Sequence, residues 1–174
     1  MYFIAERFNV SLEVLTNANS HIHDPSLIYP RDVICVPGRL SFPCSTILLR
    51  YAPHSMPAGP VGVTLIREVI SEAGYQHALS VLAYGLPNPA YFGPYDIYEA
   101  FVGISDIGGY GFRLFLTPHT GDEIASDWVG TLIIGPFLTT ATIIIVRPAC
   151  LNVDTPGPIV LEGNLKSCSS DFRP

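Results

Sequence analysis

Short apolar segments separated by clusters of Gly, Pro, Asn and Asp fill the chain from residue 44 onward, and they constrain the fold more than any other feature. Residues 97–102 alternate between two side-chain sets, as a half-buried strand does. Eight segments have strand character: 45–51, 61–70, 77–84, 96–104, 111–117, 126–134, 139–147 and 159–165. Short strands at this spacing are typical of an antiparallel sandwich or barrel. We take an Ig-like antiparallel β-sandwich as the expected fold class of this region.

Two of these segments admit a second interpretation. Residues 61–73 fit neither a period of two nor a period of 3.6 well, so a single helix is the alternative to the strand that we favour. Residues 129–146 form the longest apolar stretch, but they contain Gly130, Gly135 and Pro136. A membrane helix needs about 20 predominantly apolar residues. The Gly-Pro pair therefore indicates two strands around a turn.

The first 38 residues follow a different pattern. Phe3, Ile4 and Phe8 recur at helical spacing, and Ser11 then stands where a second helix would take its N-cap. Glu13 falls in the first turn of that helix, where a negative charge suits the helix dipole. Residues 21–29 predict a loop, and the β-branched run 33–36 predicts a short strand ended by Pro-Gly.

Residues 2–37 closely resemble a LysM module, the small βααβ unit that binds N-acetylglucosamine polymers such as peptidoglycan and chitin. The matching elements are I-A-x-R-F at 4–8, V-S at 10–11, L-x-x-x-N at 15–19 and I-Y-P-x-x-V-I-x-V-P at 28–37. Arg31 stands where the family usually has glycine. The family's opening strand and its glycine-containing turn have no counterpart before Tyr2. We therefore expect an ααβ module, either truncated at its start or delivered without a signal peptide, since residues 1–8 have no signal-peptide pattern.

The resemblance implies a domain plan and a glycan-binding groove. The plan is a partial module at 1–38, a linker at 39–43, the sandwich at 44–168 and a tail at 169–174. In the family, the loop between the second helix and the last strand forms one wall of the groove. By position, that wall consists here of Asn19, Ser20, His21, Ile22, Pro25, Leu27 and Ile28. The opposite wall belongs to the missing first turn, and an unpaired strand at 33–36 would be a template for another chain.

Composition and charge exclude several classes of function. The net charge is −6, and Lys166 is the only lysine. Nucleic acids and anionic membrane surfaces both require basic patches. The hydrophobic fraction of 48% and the charged fraction of 14% predict a substantial core rather than disorder.

Residue groups that could carry chemistry are sparse. His21-Ile22-His23-Asp24 offers two imidazoles and a carboxylate, but no second His or Cys pair completes a zinc set. The carboxylates Asp122, Glu123 and Asp127 are better explained as a solvated turn than as a glycosidase pair. No nucleophile setting is present. We expect no enzyme, no metal and no cofactor.

Four cysteines allow three complete pairings, and reduced cysteines are a further alternative. Cys44 opens the second domain and Cys168 closes it. A bridge between them would close a loop of about 125 residues and stabilise the fold by up to about 4–5 kcal/mol in the chain-entropy model. A Cys35–Cys44 bridge would instead staple the linker.

A weaker resemblance concerns the second domain. The Leu-Pro segment at 83–87, the aromatic strand at 95–102 and the segment G-P-I-V-L-E-G at 157–163 look like the extracytoplasmic β-sandwich of anti-sigma-K-type regulators. This likeness bears on architecture alone.

Two functional hypotheses follow. The first is a non-catalytic protein that binds a glycan containing N-acetylglucosamine through its LysM module and anchors an interaction domain at the cell wall or spore surface. The alternative is a structural or assembly protein of the envelope or spore coat, with no glycan binding of its own. A protein partner, or self-association through the unpaired edge strand, fits either hypothesis.

Overall fold

The computed structural model of the chain describes residues 1–8, 10–38, 40–51, 59–72, 74–104, 110–119, 126–152 and 155–169. Two short α-helices come first, α1 at Tyr2–Phe8 and α2 at Leu12–Asn17. The Ser11 hydroxyl accepts a hydrogen bond from the Val14 amide at 3.1 Å, so the predicted N-cap of α2 is confirmed. Within the described residues, 3₁₀ helices lie at Pro89–Phe92 and Lys166–Cys168.

Eight strands follow the module in the described part of the chain, and each overlaps one predicted segment. Their bounds are β1 Cys44–Arg50, β2 Val61–Ser71, β3 Gly74–Leu86, β4 Ile97–Ile104, β5 Tyr110–His119, β6 Ser126–Ile134, β7 Thr142–Ala149 and β8 Leu161–Asn164. The strand interpretation of residues 61–70 is confirmed. The ambiguous period there comes from its C-terminal end, where β2 extends beyond the core and both faces become accessible.

The strands close into one antiparallel barrel in the order β1-β2-β3-β6-β5-β4-β7-β8, with β8 returning to β1. The predicted β-sandwich is therefore wrong. Two short seams make the difference: β1 meets β8 at Leu49–Glu162 and Arg50–Leu161, and β5 meets β6 across residues 117–119 and 127–129. A sandwich leaves such strand edges open, whereas here their backbone groups are hydrogen-bonded.

The barrel interior is filled with apolar side chains. Tyr98 is fully buried, its ring contacts Trp128 edge-on at 5.1 Å, and its hydroxyl donates to the Pro87 carbonyl at 2.8 Å. Burial raises the pKa of the Tyr98 hydroxyl well above its ordinary value. A disulfide joins Cys44 at the start of β1 to Cys168, with their Cα atoms 5.7 Å apart. The ends of the barrel region are thus held together covalently.

The first 38 residues pack on this barrel around a small core of their own. Met1, Ala5 and Leu15 are buried there, and they are surrounded by the partly buried side chains of Ile4, Val10, Ile22, Ile28, Ile34 and Val36. Val14 on the other side of α2 belongs to the barrel core instead. The segment after the module also joins the barrel, since Leu40 is buried and the Ser41 amide donates to the Cys168 carbonyl at 2.7 Å.

The predicted strand at 33–36 is not formed within the described residues. The segment is extended but belongs to no ladder. Its central backbone groups bond a side chain instead: the Cys35 amide donates to the Asn19 Oδ1, and the Asn19 Nδ2 donates to the Cys35 carbonyl, both at 2.7 Å. A β-branched run becomes a strand only when another strand supplies backbone partners, and here an amide side chain takes that place.

Candidate functional site

The loop predicted to bind glycan divides into buried and exposed residues. Asn19 is completely buried, and Ile22 and Ile28 pack into the module core. Pro25 is partly buried. The exposed members of the predicted set are Ser20, His21 and Leu27. The structure therefore brings the seven predicted residues into one loop but gives three of them a packing role.

Asn19 has every polar atom of its side chain engaged within the module. Besides its two bonds to Cys35, its Nδ2 donates to the Leu15 carbonyl at 2.7 Å. These bonds join the end of α2 to the extended segment 33–36 across 16 residues of sequence. A completely buried amide whose N–H groups are both engaged positions the loop, and its burial keeps it out of contact with a bound sugar.

A tight turn at Asp24–Leu27, which we call the ridge, is closed by a hydrogen bond from the Leu27 amide to the Asp24 carbonyl at 3.0 Å. The Asp24 carboxylate accepts from the Ser26 hydroxyl at 2.6 Å and from the Ser26 amide at 2.9 Å. These bonds, the hydroxyl first, lower the pKa of the Asp24 carboxyl below its usual value. The Met1 amino group donates to the Pro25 carbonyl at 2.6 Å and holds the other side of the ridge.

A second turn at 29–32 explains the family glycine that this chain replaces. The Asp32 amide donates to the Tyr29 carbonyl at 3.1 Å, with Pro30 and Arg31 between them. A type II turn takes Pro at its second position and requires a positive φ at its third, which is why glycine is usual there. Arg31 has a φ of +89°, so it keeps the glycine conformation without being glycine. The side-chain oxygen of Asp32 supports the turn by accepting from the Tyr29 amide at 2.8 Å.

Two shallow depressions flank the Asp24–Leu27 ridge. One, of about 330 Å³, is lined by His21, Ile22, His23, Asp24, Leu27, Tyr29, Asp32 and Val33. The other, of about 480 Å³, is lined by Met1, Tyr2, Phe3, Leu12, Asp24, Pro25 and Ser26. The larger depression combines an apolar floor with a polar rim at Asp24 and Ser26. That combination suits a ligand with both apolar and hydroxyl-bearing faces.

Tyr2 and Phe3 line the larger depression, and sequence reasoning did not single them out as candidate site residues. Phe3 belongs to the apolar residues at helical spacing, yet it is 80% exposed, and Tyr2 is 62% exposed. Their rings contact each other edge-on at 5.6 Å. A seven-residue helix has room for one buried stripe, and Ala5 occupies it. The available signal was aromatic residues at the start of a helix too short to bury them.

Candidate metal and catalytic groups do not assemble in the described part of the chain. His21 is used in the fold, because its Nε2 lies 3.1 Å from the Val33 carbonyl oxygen. No group of three or more His, Cys, Asp or Glu side chains among the described residues could hold a metal ion. Asp122 and Glu123 lie outside those residues, and Asp127 belongs to β6.

A buried ionic cluster on the barrel is a second feature that the sequence did not reveal. Glu99 on β4 is completely buried and lies between the Arg113 Nε at 2.6 Å and the Arg147 Nε at 2.7 Å. The Arg113 guanidinium lies over the Phe115 ring, and the Arg147 guanidinium over the Phe101 ring. The carboxylate is fully buried while both arginine side chains remain partly exposed, and the cluster joins three neighbouring strands.

A small cavity of about 100 Å³ lies where the module meets the barrel. Its lining includes Ser11 and Val14 from the module, Phe42 from the connecting segment, and Glu68 and His77 from β2 and β3. His77 is 6% exposed, and its Nδ1 has no hydrogen-bond partner. Burial lowers the pKa of His77 to about 4, while the Glu68 carboxylate acts in the opposite direction.

No helix in the described part of the chain is long and apolar enough to cross a membrane.

Comparison with known proteins matches the N-terminal module and the barrel to two different families. Residues 1–37 match the LysM domain family, which suggests binding of carbohydrate such as peptidoglycan and an envelope-associated location. No solved structure matches the chain. The comparisons do not show the likeness to anti-sigma-K-type regulators.

The remaining residues match a second family over most of the chain. The SPbeta prophage-derived uncharacterized protein YoqH of Bacillus subtilis (strain 168) is 28% identical over 126 residues, which cover 72% of this chain and 82% of that protein. The family model of the same description matches residues 40–169, the whole of the barrel. The chain therefore belongs to the family of SPbeta prophage-derived uncharacterized protein YoqH, with a LysM domain at its N-terminus.

Proposed function

We propose that this protein is a non-catalytic glycan-binding protein. Its LysM module binds polymers containing N-acetylglucosamine, with peptidoglycan the principal ligand and chitin a related one. The barrel is the cargo or interaction domain that the module anchors at the cell wall or spore surface. The observation that carries the proposal is the LysM match over residues 1–37, on a loop that the described hydrogen bonds hold in one conformation.

The larger depression beside the ridge is the proposed contact surface. Tyr2 and Phe3 provide exposed aromatic faces on which a pyranose ring can stack, and Pro25 with Leu12 provides apolar surface for an acetyl methyl group. Ser26 at the rim offers a hydroxyl beside them. Preformed loops bind with a smaller loss of conformational entropy than mobile ones, so the turns at 24–27 and 29–32 favour binding.

The test is co-sedimentation of the purified protein with insoluble peptidoglycan and chitin. Cellulose serves as the matched polymer, because it has the same linkage geometry as chitin without the acetamido groups. We expect retention on the two acetylated polymers and none on cellulose. Equal retention on all three, or on none, contradicts the proposal and leaves the assembly function as the alternative. The absence of soluble sugar release in the same tubes is the expected result for a protein without catalysis.

Variants locate the surface within the module. Tyr2→Ala and Phe3→Ala should each lower affinity roughly tenfold, the effect of losing about 1.4 kcal/mol of stacking and burial. Tyr91→Ala is the matched control, because Tyr91 is an equally exposed aromatic that forms a similar edge-on pair with Phe92 on the barrel. If His21→Ala abolishes binding while Tyr2→Ala does not, the smaller depression is the site. Asn19 variants are unsuitable for this purpose, because they would disturb the loop itself.

A further inference from the structure

One wall of the barrel carries an exposed apolar surface with no partner among the described residues. Ile47, Val63, Leu82 and Val129 are register neighbours on β1, β2, β3 and β6, so they form one row across four adjacent strands of the barrel. All four side chains point outward and are 37–61% exposed. Outward positions on a solvated sheet face are normally polar. This row is the centre of what we call the apolar wall.

The apolar wall continues on both sides of that row. Leu65 lies two residues along β2 in one direction, and Leu49, Val61 and Tyr84 lie in the other. Charged residues of the same strands lie beyond this apolar set: Arg67 follows Leu65 by two residues on β2, and Asp127 precedes Val129 by two residues on β6. An apolar centre with charged groups at its margin is the arrangement found in protein interfaces.

The exposed area of the apolar wall is close to that of one side of a protein–protein interface. With about 150–200 Å² for a fully accessible large side chain, the exposed parts of these eight residues amount to roughly 600–700 Å². That area exceeds the largest apolar patch of a typical monomer, about 300–600 Å². It is close to the ~800 Å² that each partner contributes to an interface of standard size.

We propose that the apolar wall is the interface of a homodimer, in which two copies of this chain pack face to face about a twofold axis. The wall is charge-free at its centre, so two chains that each carry a net charge of −6 can meet there without placing like charges opposite each other. A twofold contact needs one self-complementary patch, and an apolar patch without charged groups at its centre satisfies that requirement. Because the barrel is closed, the contact is between faces and not between strand edges.

The dimer has a consequence that rests on the proposed glycan binding. Each copy contributes one LysM module, and two modules linked by a rigid dimer bind a polymer with higher avidity than either alone. The module packs through residues near Leu40, Phe42 and Leu138, which lie at the end of the barrel and not on the wall. Both modules therefore keep their loops free in the dimer.

Sedimentation equilibrium of the full chain, without glycan, tests the dimer directly. We expect a concentration-dependent dimer, and Val63→Glu or Leu82→Glu should weaken association by at least about tenfold, because each buries a carboxylate at the interface centre. Ile143→Glu is the matched control, since Ile143 is an exposed isoleucine on β7, on the other side of the barrel. Circular dichroism and thermal melting of each variant verify that the barrel is folded.

A wild-type chain that sediments as a monomer at its highest soluble concentration overturns the proposal, as does an Ile143→Glu variant that dissociates as readily as Val63→Glu. The glycan assay is read separately. A dimer that binds no polymer refutes the proposed function and leaves the dimer intact. A monomeric Leu82→Glu variant with weakened polymer retention supports both.

Discussion

The module and the barrel are stabilised in different ways, and the difference shows what each part of this sequence encodes. The module buries few side chains and depends on particular hydrogen bonds, above all those that Asn19 makes to Cys35 and Leu15. The barrel buries a large apolar interior, and the Cys44–Cys168 disulfide joins its two ends. A small unit with little core must hold its shape through polar contacts, and those contacts are also what keep a binding loop in one conformation.

The largest expected effect concerns the barrel. Replacing both Cys44 and Cys168 with Ala should lower the free energy of unfolding by about 4 kcal/mol, because the bridge closes a loop of more than 100 residues. Fluorescence of Trp128, the single tryptophan, follows barrel unfolding in urea. Cys35→Ala is the control, because Cys35 is an exposed free cysteine. An unchanged urea midpoint in the double variant would mean that the bridge adds nothing to the closed strands.

The next largest effect concerns the module. Asn19→Ala leaves the Cys35 amide and carbonyl without their partner, and it should destabilise the module by about 3 kcal/mol. Hydrogen exchange should show lost protection at residues 14–36, while the Trp128 transition stays in place. Asn17→Ala, at an exposed position on α2, is the control. If the Trp128 transition falls in parallel with module protection, the two regions are one cooperative unit and the contrast between them fails.

A third prediction uses the junction between the two regions. His77 is buried in its neutral form, and its pKa is about 4 instead of the ordinary 6.5. Between these two pH values the unfolded chain therefore binds more protons than the folded protein. Its contribution is complete above about pH 6.5 and is lost as the pH falls toward 4. We expect a loss of roughly 2 kcal/mol between about pH 7.5 and about pH 5.

Urea denaturation across this range measures the effect. His77→Phe should flatten the pH dependence, whereas His119→Gln at an exposed position of β5 should retain it. A His77→Phe profile that superimposes on the wild-type profile would show that the junction does not sense this proton.

The smallest expected effect is a gain. Arg31→Gly removes the strain of a positive φ, which is larger than the cost of the added backbone freedom in the unfolded chain. The net effect should therefore stabilise the module by about 0.5–1 kcal/mol. Arg31→Ala separates the causes, because it removes the side chain while keeping the strained conformation. Equal stability of the Gly and Ala variants would assign the effect to the arginine side chain and not to the backbone.

Local sequence patterns predicted most of the secondary structure in both parts of this protein. The Ser11 cap, both helices and all eight strands of the described barrel follow from residue type and spacing, since each is decided within a few neighbouring residues. The predicted binding loop was also located correctly as a loop. The roles within it were not, because the burial of Asn19 depends on Cys35, 16 residues away.

The sequence by itself determined both helices, the eight barrel strands, the LysM resemblance and the acidic, lysine-poor composition, all of which depend on residue type and short stretches of chain. The tertiary structure alone decided that the strands close into a barrel, that Glu99 lies between Arg113 and Arg147, and that outward apolar residues of four strands align in one row. The physical reason is that strand pairing joins residues far apart in the chain. Alternation assigns a residue to one face, but only the register determines which residues are its neighbours.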